Sequence, residues 1–471
     1  GRDVEGARIL NRATQPRLPD STIKPIAVYL PALDNGFTAA TPMDDAPFYV
    51  NGRLWPSNWY SGYRGIHTIR KAVEQSVNVI SVKTLQSIGL HTSMEYLSRM
   101  GIINKENPSM DNFVTAAENS SSNDENLSAL GLGGMTRGMS PLEITAAFGA
   151  IANSGTYIEP IAFTKIIDKN GQVIIDKTPK ENAVVSPQVA YVMSDILRTT
   201  VSNGIASRAQ VPNMPTAGKT GTTQDQADVW FVGYTPYYVS GVWIGNDSPQ
   251  IKLNKSSPIA AQLWRIIMTE VHKGLPSRNF ERPNGVLTVR ICTQSGKLAT
   301  ELCSKDPRGS MVRSEIFAKG TQPTEVCDAH VEVEVCTVSN KLANEYCPKD
   351  SIGTKVFVKR PIAYDPAKNK GILPSDYEYT IPTDVCDVHN KDNTIKDWLD
   401  DLINGPDNKD KEDDDKKDDD KKNDKDNDSG NNNGSGNGNG TGNGSGNGGS
   451  NNGSNNGNNN GNNNDNKDKK N

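Results

Sequence analysis

Two side chains near the start of the chain, Ser21 and Lys24, have types and a spacing that suit nucleophilic catalysis. On a helix, positions i and i+3 lie on one face, so this spacing brings the lysine amine towards the serine hydroxyl. A serine becomes nucleophilic when a neighbouring base takes its proton, and a desolvated lysine can be that base. The alternative interpretation is a helix cap followed by a solvated lysine. The pair is a candidate that needs support from elsewhere in the sequence.

Two further polar motifs supply candidate catalytic or binding residues. Lys219, Thr220 and Gly221 form the one Lys-Thr-Gly triplet of the chain. Gly-Lys-Thr also ends a phosphate-binding P-loop, but that motif requires a glycine 6 residues before the lysine, where this chain has Asn213, so the P-loop interpretation fails. Ser76-Val77-Asn78 is a weak signal alone, and its apolar setting between the two lysine motifs gives it weight.

The flanking residues predict a helix for the candidate nucleophile. The apolar run at residues 25–30 follows Ser21 and stops near Gly36, a pattern typical of a helix that begins at the serine. The free N–H groups and the dipole at a helix N-terminus favour a developing oxyanion. Pro31 falls inside this helix, where it would remove a hydrogen bond and kink the axis.

Strands are predicted after the Lys-Thr-Gly triplet. Residues 229–234 and 237–244 read as two strands joined by a tight turn. Gly218 and Gly221 flank the lysine, and glycines within a strand pattern often mark a close backbone approach to a ligand. Residues 1–277 therefore predict one α/β domain of α+β type.

Charge and hydropathy argue against two classes of protein. The chain has 471 residues and a formal net charge of −5, which residues 401–471 carry, so a basic nucleic-acid-binding domain is not expected. The most apolar stretch, residues 144–152, is far shorter than the roughly 20 residues of a membrane-spanning helix. The chain begins at Gly1 without a signal peptide, so we expect a processed protein or part of a longer one.

The C-terminal part, residues 391–471, is expected to be a linker and a disordered tail. Residues 392–403 could form a short amphipathic segment. Asp/Lys runs and then Asn/Gly/Ser repeats follow, a composition that cannot bury a core. We interpret this tail as a solvated spacer.

All six cysteines lie in two tandem repeats, which predict small β-rich modules at residues 286–333 and 334–390. The pattern from Cys292 to Cys303 recurs 44 residues later, from Cys336 to Cys347. The second copy also contains an insertion, placed within residues 358–379. Each module is too small to be stable on apolar burial alone, so a covalent or metal cross-link is expected.

Disulfides are the favoured interpretation of the six cysteines, and zinc sites and free thiols are the alternatives. Disulfides suit an oxidising compartment, and the favoured pairs join the second and third cysteines of each module: Cys303 with Cys327, and Cys347 with Cys386. Alternatively, three cysteines and a Cys-x-x-His pair could form a Cys3His zinc site in each module. In that case His330 and His389 would be ligands, whereas with disulfides they would be packing or turn residues.

The ordered motifs Ser-x-x-Lys, Ser-x-Asn and Lys-Thr-Gly resemble those of the penicillin-recognising serine acyltransferases. Flanking residues at 11–15, 130–143, 152–157 and 219–236 are similar to the class A, high-molecular-weight penicillin-binding proteins. The resemblance implies the penicillin-recognising serine transpeptidase fold, an antiparallel sheet flanked by helices. Family members carry a membrane anchor and a glycosyltransferase domain upstream, so this chain resembles the transpeptidase half with a C-terminal extension.

The resemblance also implies roles for the motif residues. Ser21 would attack the carbonyl between the terminal D-Ala residues of a peptidoglycan stem peptide, with Lys24 as the base and Ser76 as the proton relay. Substrate would be bound by the remaining motif residues, namely Asn78, Lys219, Thr220, Gly221 and Thr222. The backbone N–H groups of Ser21 and Thr222 would form the oxyanion hole. The reaction would need no metal or organic cofactor.

Departures from the family pattern and rival functions are also apparent. Asp20 and Ile23 stand where the family usually has glycine and phenylalanine. A D,D-carboxypeptidase or β-lactamase of the same fold shares all three motifs. Two rival functions from other classes are a non-catalytic cell-wall-binding protein and a scaffold built around the Cys modules.

The same resemblance suggests partners and a location. The expected partners are stem peptides, β-lactam antibiotics and the cell-wall synthesis machinery, without nucleic acid and with membrane contact only through an upstream anchor. The expected location is the outer face of the membrane. The Asn, Lys and Asp usage favours a Gram-positive source.

Overall fold

The computed structural model describes residues 10–104, 111–248, 250–253 and 258–391. The helices are α1 (Leu30–Asp34), α2 (Ile69–Glu74), α3 (Asn78–Ile88), α4 (Leu90–Arg99), α5 (Leu127–Leu132), α6 (Pro141–Ala152), α7 (Pro187–Ser202) and α8 (Pro258–Val271). The strands are β1 (Pro42–Asp45), β2 (Tyr49–Val50), β3 (Arg53–Leu54), β4 (Gly65–Thr68), β5 (Thr156–Ile158), β6 (Lys165–Ile167), β7 (Val173–Asp176), β8 (Glu181–Ala183), β9 (Ala217–Thr222), β10 (Asp228–Tyr234), β11 (Val239–Gly245), β12 (Val286–Cys292), β13 (Val312–Ala318), β14 (His330–Cys336) and β15 (Ile352–Val358).

A three-stranded antiparallel sheet in the order β11-β10-β9 organises the first domain. Strand β10 is buried along its whole length, because α6, α7 and α8 pack against the sheet. The main apolar core joins this sheet to α1, α3 and α6. The predicted fold class, a mixed domain with an antiparallel sheet flanked by helices, is confirmed. Strand β9 lies at one edge of the sheet and carries the Lys-Thr-Gly triplet.

The segment that carries the candidate nucleophile differs from the single helix predicted. A 3-10 turn at Asp20–Thr22 leads into a π-helical stretch at Pro25–Tyr29, and α1 follows. Proline has no N–H for the regular ladder, and the Leu30 N–H reaches back five residues to the Pro25 carbonyl. Pro31 is the second residue of α1, where the π-helical stretch passes into the α-helix, and the helical backbone continues through it to Asp34.

Each Cys module contains one antiparallel strand pair, β12 with β13 and β14 with β15. The two pairs share a register, since Cys292 lies opposite Val312 and Cys336 opposite Ile352. In each module a short parallel bridge also joins the segment before the second cysteine to the segment before the third cysteine. The sequence repeat is therefore a repeat of structure, while the exact module boundaries stay a prediction.

Buried ion pairs attach both modules to the first domain. Arg70 of α2 forms a bidentate pair with Glu315 of β13, with Nε 2.7 Å from the carboxylate, and also pairs with Asp195 of α7. From the insertion in the second module, Arg360 pairs with Asp44 at the end of β1. The modules are therefore packed on the domain that holds the candidate catalytic residues.

None of the helices within the described ranges is both long enough and apolar enough to cross a bilayer. The predicted amphipathic segment at residues 392–403 and the predicted tail lie outside the described residues.

Candidate active site

The three predicted motifs meet around the hydroxyl of Ser76. Lys219 Nζ donates a hydrogen bond to Ser76 Oγ at 2.8 Å, and Lys24 Nζ approaches the same oxygen at 3.4 Å. Lys24 Nζ also donates to Asn78 Oδ1 at 2.6 Å and to the Ser76 carbonyl at 3.2 Å. Both lysine side chains are completely buried. Three separate segments of the chain thus bring two amines, a hydroxyl and an amide together.

Burial lowers the pKa values of both lysine amines. Loss of solvation lowers the pKa of Lys24 to about 8, against an opposing effect of the Asp20 carboxylate. Burial also lowers the pKa of Lys219 well below its usual value, and the positive charge of Lys24 lowers it further. A lysine with a pKa this close to neutrality has a neutral fraction that can accept a proton. The cluster therefore contains an amine suited to general base catalysis.

Ser21 lies in the 3-10 turn next to β9 and is half-buried. Within the described ranges, the hydrogen bonds of Lys24 Nζ go to Ser76 and Asn78 and not to the Ser21 hydroxyl. The sequence spacing predicts a contact between Lys24 and Ser21. In the structure the hydrogen bonds of the Lys24 amine go to the Ser-x-Asn motif instead.

Asp20 stands at the position where the family usually has glycine. Its Oδ1 accepts hydrogen bonds from the backbone N–H of Ser21 and, at 3.3 Å, from that of Thr222. These are the N–H groups that the resemblance assigns to the oxyanion hole. Asp20 has a φ of 47°, in the left-handed region where glycine is the favoured residue. The carboxylate thus contacts the donors that a tetrahedral oxyanion would use.

Strand β9 presents the remaining predicted binding residues. A Cβ on Gly221 would lie 2.7 Å from the Pro19 carbonyl, so glycine allows the strand to approach the nucleophile segment closely. The close approach predicted for this glycine is therefore to the protein's own backbone. Thr222 Oγ1 is buried and has no hydrogen-bond partner among the described residues. A ligand carboxylate could satisfy this hydroxyl together with the Lys219 amine.

Sequence reasoning did not identify the residues that hold Asn78. Asn58 Oδ1 accepts hydrogen bonds from the backbone N–H groups of Asn78 and Val79, at 3.0 and 3.3 Å. Asn78 Nδ2 donates to the Ser57 carbonyl at 2.8 Å. Asn58 in turn donates to Asp45 Oδ1 at 2.7 Å. Ser57 and Asn58 lie in a loop that no periodicity or motif distinguishes, so only the folded chain identifies them.

The glycine-rich flank at residues 130–138 supports the nucleophile turn from the other side. Gly133 has a φ of +78°, and a Cβ there would lie 2.4 Å from the Asp20 carbonyl oxygen. Trp230 Nε1 donates to the Leu18 carbonyl at 2.8 Å. The flanking motifs noted in the sequence therefore fix the backbone that carries Ser21.

The predicted disulfides, Cys303 with Cys327 and Cys347 with Cys386, are not formed in the structure. All six cysteines are free and buried. In each module the three cysteines and one histidine lie close together as a four-residue cluster, rather than as one cysteine pair with a separate third cysteine. The pairing favoured from the sequence is corrected on this point.

Comparison with known families agrees with the motifs. Residues 2–269 match the family described as penicillin binding protein transpeptidase domain. Residues 282–332 and 331–360 match the family described as penicillin-binding protein 1A, C-terminal domain.

Curated relatives are designated penicillin-binding protein 1A or 1A/1B. The chain is 35% identical over 395 residues to a penicillin-binding protein 1A of Clostridium botulinum, covering 81% of this chain and 45% of the relative. It is 32% identical over 338 residues to penicillin-binding protein 1A/1B of Bacillus subtilis, covering 67% of this chain and 35% of the relative. The chain thus spans less than half the length of these two relatives.

Solved structures share the fold. Penicillin-binding protein 1A from Haemophilus influenzae has a TM-score of 0.55 at 23% identity, covering 67% of this chain and 50% of that one. The PonA1 protein from Mycobacterium tuberculosis in complex with penicillin V has a TM-score of 0.52 at 22% identity, covering 59% of this chain and 75% of that one. With the match over residues 2–269, these findings show that the chain belongs to the penicillin-binding protein transpeptidase family, among the class A penicillin-binding proteins.

Proposed function

We propose that this chain is a serine D,D-transpeptidase that cross-links peptidoglycan stem peptides and is acylated by β-lactams. The observation that carries the proposal is the convergence of two buried lysines on Ser76 Oγ, with Asn78 bound to one of them. Family membership supports the same function. Because the chain spans less than half of its curated relatives, the proposal concerns this part alone.

In the first step, Ser21 Oγ attacks the carbonyl of the penultimate D-Ala residue of the donor stem. Lys24, in its neutral form, takes the hydroxyl proton. The hydrogen bonds between Lys24, Ser76 and Lys219 offer a path by which that proton reaches the nitrogen of the departing D-Ala. The C–N bond then breaks, and the donor remains as an ester on Ser21.

Substrate binding uses the groups that surround this path. The side-chain amide of Asn78 would bind the donor's peptide group. The amine of Lys219 and the hydroxyls of Thr220 and Thr222 would bind its terminal carboxylate. This arrangement accounts for the buried Thr222 Oγ1, which has no hydrogen-bond partner within the described ranges. An incoming carboxylate would also favour the charged form of Lys219, whose pKa is low in the free protein.

The oxyanion that forms on the attacked carbonyl would be stabilised by the backbone N–H groups of Ser21 and Thr222. The Asp20 carboxylate contacts both groups, so it must be displaced before the oxyanion can form. In the second step an amine from a neighbouring stem attacks the ester and takes the acyl group. A β-lactam opens onto the same serine, and its leaving nitrogen stays attached.

The proposed partners are the D-Ala-D-Ala donor stem, the amine acceptor stem, β-lactams and the cell-wall synthesis machinery. The penicillin-binding protein 1A relatives support a location on the outer face of the membrane. We also propose that the protein comes from a Gram-positive bacterium.

The test uses a synthetic stem peptide that ends in D-Ala-D-Ala, with and without an amine acceptor. We expect release of D-Ala and, by mass spectrometry, a cross-linked product whose yield rises with acceptor concentration, with neither in Ser21→Ala. Release of D-Ala with hydrolysed donor at every acceptor concentration would instead identify a carboxypeptidase. No turnover and no β-lactam adduct would identify a non-catalytic wall-binding protein.

A further inference from the structure

The two cysteine clusters lie outside the proposed active site and suggest a second kind of chemistry. In each module three sulfurs and one imidazole nitrogen all lie within 4.8 Å of one another. We propose that each Cys module binds one Zn²⁺ ion through three thiolates and one histidine. The ligands are Cys292, Cys303, Cys327 and His330 in the first module, and Cys336, Cys347, Cys386 and His389 in the second.

The spacing of the ligand atoms matches that of a tetrahedral zinc site. With Zn–S of about 2.3 Å and Zn–N of about 2.0 Å, a tetrahedral ion holds sulfur and nitrogen roughly 3.6 Å apart. His330 Nδ1 lies 3.5 Å from Cys292 Sγ and 3.6 Å from Cys327 Sγ. His389 Nδ1 lies 3.4 Å from Cys336 Sγ and 3.6 Å from Cys386 Sγ. The same geometry recurs in both tandem modules.

The first module also holds its histidine in the orientation that a metal requires. Asp306 Oδ2 lies 2.8 Å from His330 Nε2, and both side chains are completely buried. With a metal bound, Nε2 would carry the ring proton and donate it to Asp306, and the lone pair of Nδ1 would be available to the ion. A carboxylate that accepts the second ring N–H is the usual partner of a metal-bound histidine. Arg308 in turn holds the Asp306 carboxylate at 2.7 Å.

Backbone N–H groups support the sulfurs at equivalent positions of the repeat. The Thr300 N–H lies 3.3 Å from Cys303 Sγ, and the Asn344 N–H lies 3.4 Å from Cys347 Sγ. Backbone N–H groups that contact the sulfurs of a metal site help to orient those ligands for the ion. Both modules therefore have the same backbone contact at their second cysteine.

The small apolar cores of the modules are made largely of these cysteines. Cys292, Cys303 and Cys327 pack with Ala329 in the first module, and the three cysteines of the second module form the corresponding cluster. A disulfide within a module would use two of its three cysteines, whereas a four-ligand metal site uses all three. Zinc binding would release the thiol protons and contribute directly to the stability of the module.

The first test measures zinc and thiols in the full chain purified without a chelator. We expect two zinc ions per chain and six thiols that react only after denaturation. Removing the zinc and adding Co²⁺ alone should give thiolate-to-cobalt charge-transfer absorption that saturates at two equivalents. Cys303→Ser and Cys347→Ser should each lower the tight binding to one equivalent.

A matched pair of variants tests whether metal binding depends on the buried contact between Asp306 and His330. Asp350 occupies the position equivalent to Asp306 in the repeat, but it is exposed. Asp306→Asn should weaken Co²⁺ binding at one of the two sites by about 10–100-fold, as the loss of such a partner does elsewhere. Asp350→Asn should leave both sites unchanged, and in each variant the untouched site serves as the internal reference.

Two results would overturn the proposal. One is disulfide-linked peptides, mapped without reduction, in protein that contains no zinc. The other is six accessible thiols that bind neither Zn²⁺ nor Co²⁺ in the reduced chain. Acylation of Ser21 is not part of this test, so failure of the zinc sites would leave the proposed transpeptidase activity standing.

Discussion

The candidate active site and the Cys modules both gather buried ionisable side chains, but with opposite charge preferences. Around Ser76 the groups are two lysine amines, and in the described part of the chain neither is ion-paired with a carboxylate. In each Cys module the groups are three thiols and one imidazole. An anionic substrate carboxylate complements the first arrangement, and a divalent cation complements the second. The charge that each cluster takes when ionised therefore matches the class of ligand proposed for it.

The two regions also differ in how much of the chain must fold to form them. The active-site groups come from the nucleophile segment, the turn before α3 and strand β9, so the whole first domain must be in place. Each cysteine cluster comes from one module. Changes in the first domain should consequently affect acylation without affecting metal content, unless they act on the buried ion pairs that join the regions.

The largest expected effect is on the lysine base. Lys24→Met keeps most of the side-chain volume and removes the amine, and we expect the second-order rate of acylation by a fluorescent penicillin to fall by about 100–10,000-fold. Lys273→Met, on an exposed helix end, is the matched control and should acylate normally. Zinc content should be the same in both. A Lys24→Met rate within threefold of the parent would remove Lys24 as the base.

The next effect concerns the junction between the regions. Glu315→Ala would leave Arg70 buried with Asp195 as its remaining carboxylate partner, and we expect a loss of about 3–5 kcal/mol in the free energy of unfolding. Glu301→Ala removes an exposed carboxylate from the same module and should change it little. Denaturant unfolding measures both. Equal, small losses would mean that the buried pair does not couple the module to the domain.

The pH dependence of acylation should follow the amine of Lys24. Because the neutral amine accepts the proton and its pKa is about 8, the rate should rise with pH through about 8 and level off above it. Below that value the rate should fall about tenfold per pH unit. The measurement is the acylation rate from pH 6 to 10, with thermal unfolding followed over the same range. A flat profile in folded protein would contradict the assignment.

The smallest effect is expected at Asp20. Asp20→Gly removes the carboxylate from the two backbone donors and suits the positive φ, so we expect acylation to become roughly tenfold faster, a modest effect for an oxyanion hole. Asp20→Asn keeps the size of the side chain without its charge and should give an intermediate rate. Slower acylation in Asp20→Gly would show that the carboxylate assists the reaction.

The sequence predicted the class of fold and the residues that meet at Ser76, because the ordered motifs are specific. It did not predict the π-helical stretch, since the effect of Pro25 and Pro31 depends on which backbone hydrogen bonds the surrounding core permits. It also did not predict Asn58 as the support for Asn78, because a polar loop residue carries no periodic signal. Spacing left the choice between disulfide and metal open in the Cys modules, where the answer depends on the distances between side chains.

The proposed mechanism depends above all on Ser21 being the residue that becomes acylated. The intact mass of the protein after reaction with penicillin, followed by mapping of the modified peptide, measures this directly. We expect one adduct per chain, located on Ser21 and missing in Ser21→Ala, whereas Ser76→Ala should still form it, at a reduced rate. An adduct that persists in Ser21→Ala, or one that maps to Ser76, would contradict the mechanism.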